Sequence, residues 1–110
     1  MYDLQYYKAK TVDDAAAKIN QAKDGKYIAG GQTLIPTMKA RLASPSDLID
    51  ISQIDSMTGI KITDSEIIIN ASTTHDEVAN SLEVQRVIPV LSDLAGNIGD
   101  PAVRARGTIG

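Results

Sequence analysis

The residues of this chain best suited to hold a ligand lie in two glycine-rich segments. One is Ala29-Gly30-Gly31-Gln32-Thr33-Leu34-Ile35-Pro36, and the other is Arg106-Gly107-Thr108-Ile109-Gly110, with which the sequence ends. A residue without Cβ adopts dihedrals closed to other residues and brings its N–H close to a ligand. Gly30, Gly31, Gln32 and Thr33 can turn successive N–H groups toward one anion. A helix opening at Leu34 would add the positive end of its dipole. If Thr33 is the N-cap, Pro36 removes the third-position amide that its hydroxyl would otherwise meet, which frees that hydroxyl for a phosphate oxygen. Gln32 contributes a neutral amide able to donate to phosphate or ribose. The pattern is neither the dinucleotide GxGxxG nor a P-loop, since no Gly-Lys-Ser/Thr follows. A tight strand-to-helix turn explains paired glycines equally well. Phosphate binding and a plain turn therefore both remain open at this point.

Other reactive side chains are few. His75 is the single imidazole, and its place just after Thr74 at a helix start reads as a first-turn surface residue. Arg104 and Arg106 form the one cluster of positive charge; they could balance a pyrophosphate, meet a partner, or simply be solvated in a loop. Asp47 and Asp50 flank an apolar strand as a cap and a turn, and do not form an acid–base pair. No residue qualifies as a general base or nucleophile, so the catalytic set is empty. Cysteine is absent, which excludes disulfides, thiolate chemistry and an iron–sulfur cluster held by this chain. A lone histidine without cysteine leaves little for zinc, so no metal ligands are assigned. The net charge of −3 argues against nucleic acid, whose phosphates recruit Lys and Arg. No apolar run approaches the roughly 20 residues of a membrane span, and no signal-peptide core opens the chain, so the expectation is a soluble cytoplasmic polypeptide.

The elements that position these loops follow from periodicity and turn chemistry. With 110 residues and neither Phe nor Trp, the chain accommodates one domain or two small subdomains with Ile, Leu, Val and Ala cores. Residues 1–10 contain a short strand around Leu4, Tyr6 and Tyr7. Thr11 and Asp14 fit a capping box, and Val12, Ala15, Ala16, Ile19 and Ala22 form a helical stripe ended by Lys23-Asp24-Gly25-Lys26. Tyr27-Ile28-Ala29 reads as a strand, residues 34–42 as a helix with Pro36 in its first turn, and residues 47–51 as a third strand. This strand-helix-strand-helix-strand unit favours a small sheet with helices packed on it. Residues 59–62 and 66–69 flank Thr63-Asp64-Ser65 as a hairpin. Thr74 and Glu77 form a second capping box, opening a helix with Val78, Ala79 and Leu82 on one side. A further helix covers residues 90–95. Residues 96–110 read as loop-rich, with Asp100-Pro101 as a turn. The likeliest division lies in the connector 52–57, giving subdomains 1–55 and 56–110.

Taken together, Tyr27-Ile28-Ala29-Gly30-Gly31-Gln32-Thr33-Leu34-Ile35-Pro36 resembles the first flavin-binding motif of the FAD subunits of molybdenum hydroxylases, of the carbon monoxide dehydrogenase and xanthine dehydrogenase type. Residues 38–42, 47–51 and Ala71-Ser72-Thr73-Thr74-His75 also fit that family. Gly99-Asp100-Pro101-Ala102-Val103-Arg104 leading into Gly107-Thr108-Ile109-Gly110 resembles the approach to its second motif. Asn70 departs from the family's usual glycine. The resemblance implies an α+β fold, the N-terminal part of a PCMH/VAO-type FAD-binding domain: residues 1–55 as its first FAD-binding subdomain and residues 56–110 as an incomplete second. It implies that backbone groups of Ala29, Gly30, Gly31, Gln32 and Thr33, and of Thr108, Ile109 and Gly110, hold the FAD pyrophosphate. It also implies an FAD-dependent oxidoreductase subunit that takes electrons from iron–sulfur clusters on one partner subunit and passes them to an external acceptor. The molybdenum cofactor would sit on a third, large subunit. In the family the second motif continues beyond the position of Gly110, so the expectation is an N-terminal fragment that leaves Ile67, Ile68 and Ile69 exposed and self-associates. The competing reading is a non-catalytic α+β module that binds a phosphate or a partner through the Gly30-Gly31 loop.

Overall fold

A computed structural model describes residues 3–110, which divide into two compact units, the first ending at Ser56 and the second running Met57–Gly110. Met1 and Tyr2, part of the stretch expected to contain the first strand, lie outside the described residues.

In the first unit, β1 (Gln5–Lys8), α1 (Val12–Gln21), β2 (Gly25–Ile28), α2 (Leu34–Lys39) and β3 (Asp47–Asp50) follow in order. All three strands are parallel in the order β1-β3-β2, with Tyr7 beside Ile49 and Ile49 beside Tyr27. The central position of β3 explains why Leu48, Ile49 and Asp50 are buried while β1 is exposed along its length. A parallel sheet needs crossovers, and α1 supplies one, packing on β2 and β3.

The cap of α1 is as expected at Thr11, whose hydroxyl accepts from the Asp14 N–H at 3.0 Å. The return arm differs: the Asp14 carboxylate accepts from the Lys10 N–H, one residue before the cap. The stripe is also narrower than the spacing predicts. Ala15 is buried and Ile19 and Ala22 half-buried, but Val12 (52 % exposed) and Ala16 face outward. The small sheet covers only one line of the helix, the i, i+4, i+7 line through Ala15, Ile19 and Ala22.

Gly25 proves to be a strand residue rather than a turn. A Cβ there would lie 2.9 Å from both Ala22 Cβ and Ile19 Cδ1, so this glycine lets helix and sheet approach. The second helix ends at Lys39, short of residue 42, because Arg41 takes a left-handed φ of 60° that no helix continues through.

In the second unit β4 (Ile60–Ile62) and β5 (Ile67–Ile69) form the antiparallel hairpin that the alternation predicts, with Ile60 opposite Ile69 and Ile62 opposite Ile67. Ile60, Ile67 and Ile69 pack on a core of Val78, Val84 and Ala95. The expectation that 67–69 would stay exposed therefore holds for Ile68 alone, which points to the other face beside Lys61. Four helices follow: α3 (His75–Asn80), α4 (Leu82–Val87), α5 (Pro89–Gly96) and α6 (Pro101–Arg106).

The chain breaks at Ser81, whose hydroxyl accepts from the Val84 N–H and so starts α4. Leu82 consequently leaves the expected stripe and stands 77 % exposed. Residues 101–106 are helical rather than loop. Asp100 caps them through Val103 N at 2.9 Å, and Pro101 occupies the first turn, where its missing N–H costs nothing. None of these helices is long and apolar enough to cross a membrane.

Candidate functional site

The first glycine segment leaves β2 and enters α2 through residues 29–33. Gly31 has a φ of +75°, and a Cβ there would meet Ile35 Cδ1 at 2.8 Å. The positive φ favours glycine, whereas the Ile35 methyl is the end of a flexible side chain and could move aside. The Gly31 carbonyl accepts from Ile35 N at 3.1 Å, and the Thr33 carbonyl accepts from Thr37 N and from the Thr37 hydroxyl. Among the described residues no acceptor takes the N–H groups of Gly31, Gln32 or Thr33.

Thr33 is the N-cap of α2, and its side chain makes no capping hydrogen bond. Pro36 removes the third-position amide, the second-position Ile35 N–H is taken by the Gly31 carbonyl, and Thr33 has helical rather than cap backbone angles (φ −106°, ψ −47°). Gln32 and Thr33 are both exposed. The loop thus presents three unengaged N–H donors and a free hydroxyl, a donor set that suits phosphate oxygens. At six residues, α2 adds little dipole; the loop amides carry the electrostatics.

The second segment is built differently. Residues 107–110 run antiparallel to residues 71–75, with Thr74 opposite Thr108. His75 N donates to the Gly107 carbonyl, Ile109 N to the Thr73 carbonyl and Gly110 N to the Ala71 carbonyl, each at 2.9 Å. Two of the three N–H groups that the resemblance assigns to a pyrophosphate are therefore spent inside the protein. Thr108 sits at the non-hydrogen-bonded pair, so its N–H and carbonyl point away from 71–75.

The glycines here serve packing. A Cβ on Gly110 would lie 2.7 Å from Ala71 Cβ, and one on Gly107 would lie 3.1 Å from both His75 Cδ2 and the Val103 carbonyl. The 71–75 segment is itself anchored. Thr73, fully buried, accepts from Gly59 N and donates to the Gly59 carbonyl, and Asn70 Nδ2 donates to the Thr58 carbonyl at 3.0 Å. Thr74 and Glu77 form the complete capping box that the sequence predicts.

Three sequence readings change here. His75 is half-buried rather than freely exposed: its ring lies against Gly107, and its Nδ1 is shielded from solvent. The signal that could have shown this was the register of 71–75 against 107–110, which no local pattern carries. Arg104 is committed to structure, its Nη1 donating to the carbonyls of Ile98 and Gly99 at 3.1 and 3.0 Å. Asp50 is more than a turn residue. It is buried and accepts from Tyr6 Oη and from both the N–H and the hydroxyl of Ser52. Burial pushes its carboxyl up, but hydrogen bonds from Ser52 and Tyr6, with the nearby Lys8 charge, outweigh this and hold it below the usual carboxylate range. The same bond, with lesser help from burial and the Asp50 charge, raises the Tyr6 phenol. Among the described residues no cluster of three or more His, Cys, Asp or Glu could hold a metal.

Residues 2–110 match the family model of the FAD binding domain in molybdopterin dehydrogenase. The carbon monoxide dehydrogenase medium chain of Hydrogenophaga pseudoflava is 42 % identical over 108 residues, covering 97 % of this chain and 38 % of that relative. The nicotine 6-hydroxylase medium subunit of Paenarthrobacter nicotinovorans is 32 % identical over 107 residues, again 97 % of this chain and 38 % of the relative. Among solved structures, carbon monoxide dehydrogenase from Hydrogenophaga pseudoflava superposes with a TM-score of 0.95 at 41 % identity, covering 99 % of this chain and 38 % of that one. This chain thus spans well under half the length of the relatives it matches. With its mixed helix-and-strand architecture and a family match that runs nearly end to end, the chain has the PCMH-type FAD-binding fold and belongs to the family of FAD-binding domains of molybdopterin dehydrogenases.

Proposed function

We propose that this chain is the FAD-binding part of an electron-transfer subunit of a molybdenum hydroxylase in the cytoplasm. In this reading the subunit takes electrons from iron–sulfur clusters on one partner and delivers them to an external acceptor. A separate large subunit, bearing the molybdenum cofactor, oxidises the substrate. When bound, FAD supplies reversible redox chemistry, and the protein's part is binding, orientation and exclusion of competing reactions. Residues 1–55 and 56–110 act as its two FAD-binding subdomains, the second incomplete. Ala29, Gly30, Gly31, Gln32 and Thr33 offer the pyrophosphate their backbone donors and the Thr33 hydroxyl. Thr108 offers the outward N–H of the second segment, while Ile109 and Gly110 hold that N–H in place through their own bonds to residues 73 and 71.

The observation that carries this reading is the set of unengaged N–H groups at 31–33 beside an uncapped Thr33, in a chain that matches an FAD-binding family along its length. Thr33→Ala tests it. The threonine side chain makes no capping bond, so folding stability should stay within about 0.5 kcal/mol of the parent. Loss of one charge-assisted hydrogen bond of about 1.5 kcal/mol should weaken FAD about tenfold. Flavin fluorescence titration and urea unfolding of the natural full-length chain measure the two quantities. Unchanged FAD affinity would remove the Thr33 hydroxyl from the site. No FAD binding by the parent would favour a non-catalytic phosphate- or partner-binding module.

A further inference from the structure

His75 holds an unusual position for the only imidazole in the chain. Its backbone N–H donates to the Gly107 carbonyl at 2.9 Å, and its ring lies where a Cβ on Gly107 would come within 3.1 Å of Cδ2 and 3.6 Å of Nε2. The Gly107 N–H donates to the Val103 carbonyl at 2.7 Å, closing α6. Gly107 is buried, with the ring and the helix end both close to where its Cβ would stand. The next residue is Thr108, whose N–H faces away from the 71–75 segment.

We propose that the His75 imidazole is a positioning residue: it acts as a flat wall against Gly107, fixing the 107–110 segment and the direction of the Thr108 N–H. The wall works by contact rather than by hydrogen bonding. The ring atom nearest Gly107 is the carbon Cδ2, and Nδ1 has no partner among the described residues. A ring of similar shape without nitrogen should therefore serve as well, whereas a side chain that ends at Cβ should not. That the segment orders FAD rests on the function proposed above; that His75 orders the segment does not.

Two measurements on the natural full-length chain separate these claims. The first is amide hydrogen exchange without flavin. In His75→Ala the Ile109 N–H, bonded to the Thr73 carbonyl, should exchange at least tenfold faster, while the amides of β3 keep the parent rate. His75→Phe, which keeps a flat ring, should exchange within threefold of the parent. The second is FAD titration, in which His75→Ala should bind at least tenfold more weakly and His75→Phe within threefold of the parent. Unchanged Ile109 exchange in His75→Ala overturns the positioning role. Ile109 exchange in His75→Phe as fast as in His75→Ala also overturns it, by showing that ring shape does not hold the segment. Parent-like exchange with lost FAD affinity in His75→Phe supports the positioning role and assigns the nitrogen a further contact with the cofactor. Faster exchange in His75→Ala in a parent that binds no FAD supports the positioning role and rejects the FAD reading instead.

Discussion

At the scale of single residues, the loop chemistry turns on Gly31. Its φ of +75° lies in the left-handed region, which costs a residue bearing Cβ about 1–2 kcal/mol. Gly31→Val should lower stability by at least that amount, because its Cβ also has to displace the Ile35 side chain, and it should sharply reduce FAD retention. Bound flavin counted per folded subunit isolates the second effect; equal occupancy would take Gly31 out of the pyrophosphate site. The Tyr6–Asp50 pair makes a second prediction. Asp50 titrates below the ordinary carboxylate value in the folded protein. Its stabilisation is therefore complete above the unfolded value of about 3.9 and is lost as pH falls through the lower folded value. Tyr6 titrates above the ordinary phenol value. Its contribution is present below about pH 10 and disappears as pH rises through the higher folded value. Tyr6→Phe should cost about 1 kcal/mol at neutral pH, the low figure reflecting its 56 % exposure. It should also flatten the alkaline loss, which urea midpoints across both windows would reveal. A parent and mutant with parallel pH profiles would mean that the phenol does not stabilise the carboxylate.

At the scale of elements, the short helices of the second unit depend on their caps. None of α3, α4 and α6 exceeds six residues, too short to persist on propensity alone. Thr74→Ala removes the acceptor for the Glu77 N–H and half of the capping box, and should cost about 1 kcal/mol. Asp100→Ala should cost a similar amount by freeing the Val103 N–H, and should also raise hydrogen exchange at Gly107, whose amide closes the same helix. Chemical denaturation gives the energies, and exchange locates the damage. If Asp100→Ala left Gly107 protected, α6 would owe its start to Pro101 rather than to the cap.

At the scale of the whole molecule, each unit has its own small aliphatic core: Leu48, Ile49 and Ala15 in the first, and Val78, Val84 and Ala95 with the hairpin isoleucines in the second. Cores of this size leave modest stability, so a ligand bound only by the folded state should be visible in the unfolding temperature. FAD at about a hundredfold over its dissociation constant should add about 2.7 kcal/mol. A thermal shift that grows with the logarithm of FAD concentration, and is absent in Gly31→Val, is the expected result. A shift of equal size in the mutant would place the flavin elsewhere.

What could be read along the chain was whatever a few neighbouring residues decide. The Thr74–Glu77 box, the Thr11 cap and the glycine loop into α2 are governed by bonds spanning three or four positions, and the 60–69 hairpin by pairs no farther apart than Ile60 and Ile69; each is present in the structure. The family motifs were legible for the same reason, as short runs of fixed order. Elsewhere local signals compete or a distant segment decides. Asp100-Pro101 serves a turn and a helix start equally well, and the helix follows because α6 packs on α3. Val12 and Ala16 share the helical spacing, but the narrow sheet covers only the line through Ala15, Ile19 and Ala22. The largest difference lies at residues 107–110. Their glycines look like a ligand loop in sequence, yet only pairing with residues 71–75, more than thirty positions earlier, commits the N–H groups of Ile109 and Gly110 and sets His75 against Gly107. Local hydrogen bonds are encoded in adjacent residues; strand register and helix coverage depend on which surfaces meet, and tertiary packing alone decides that.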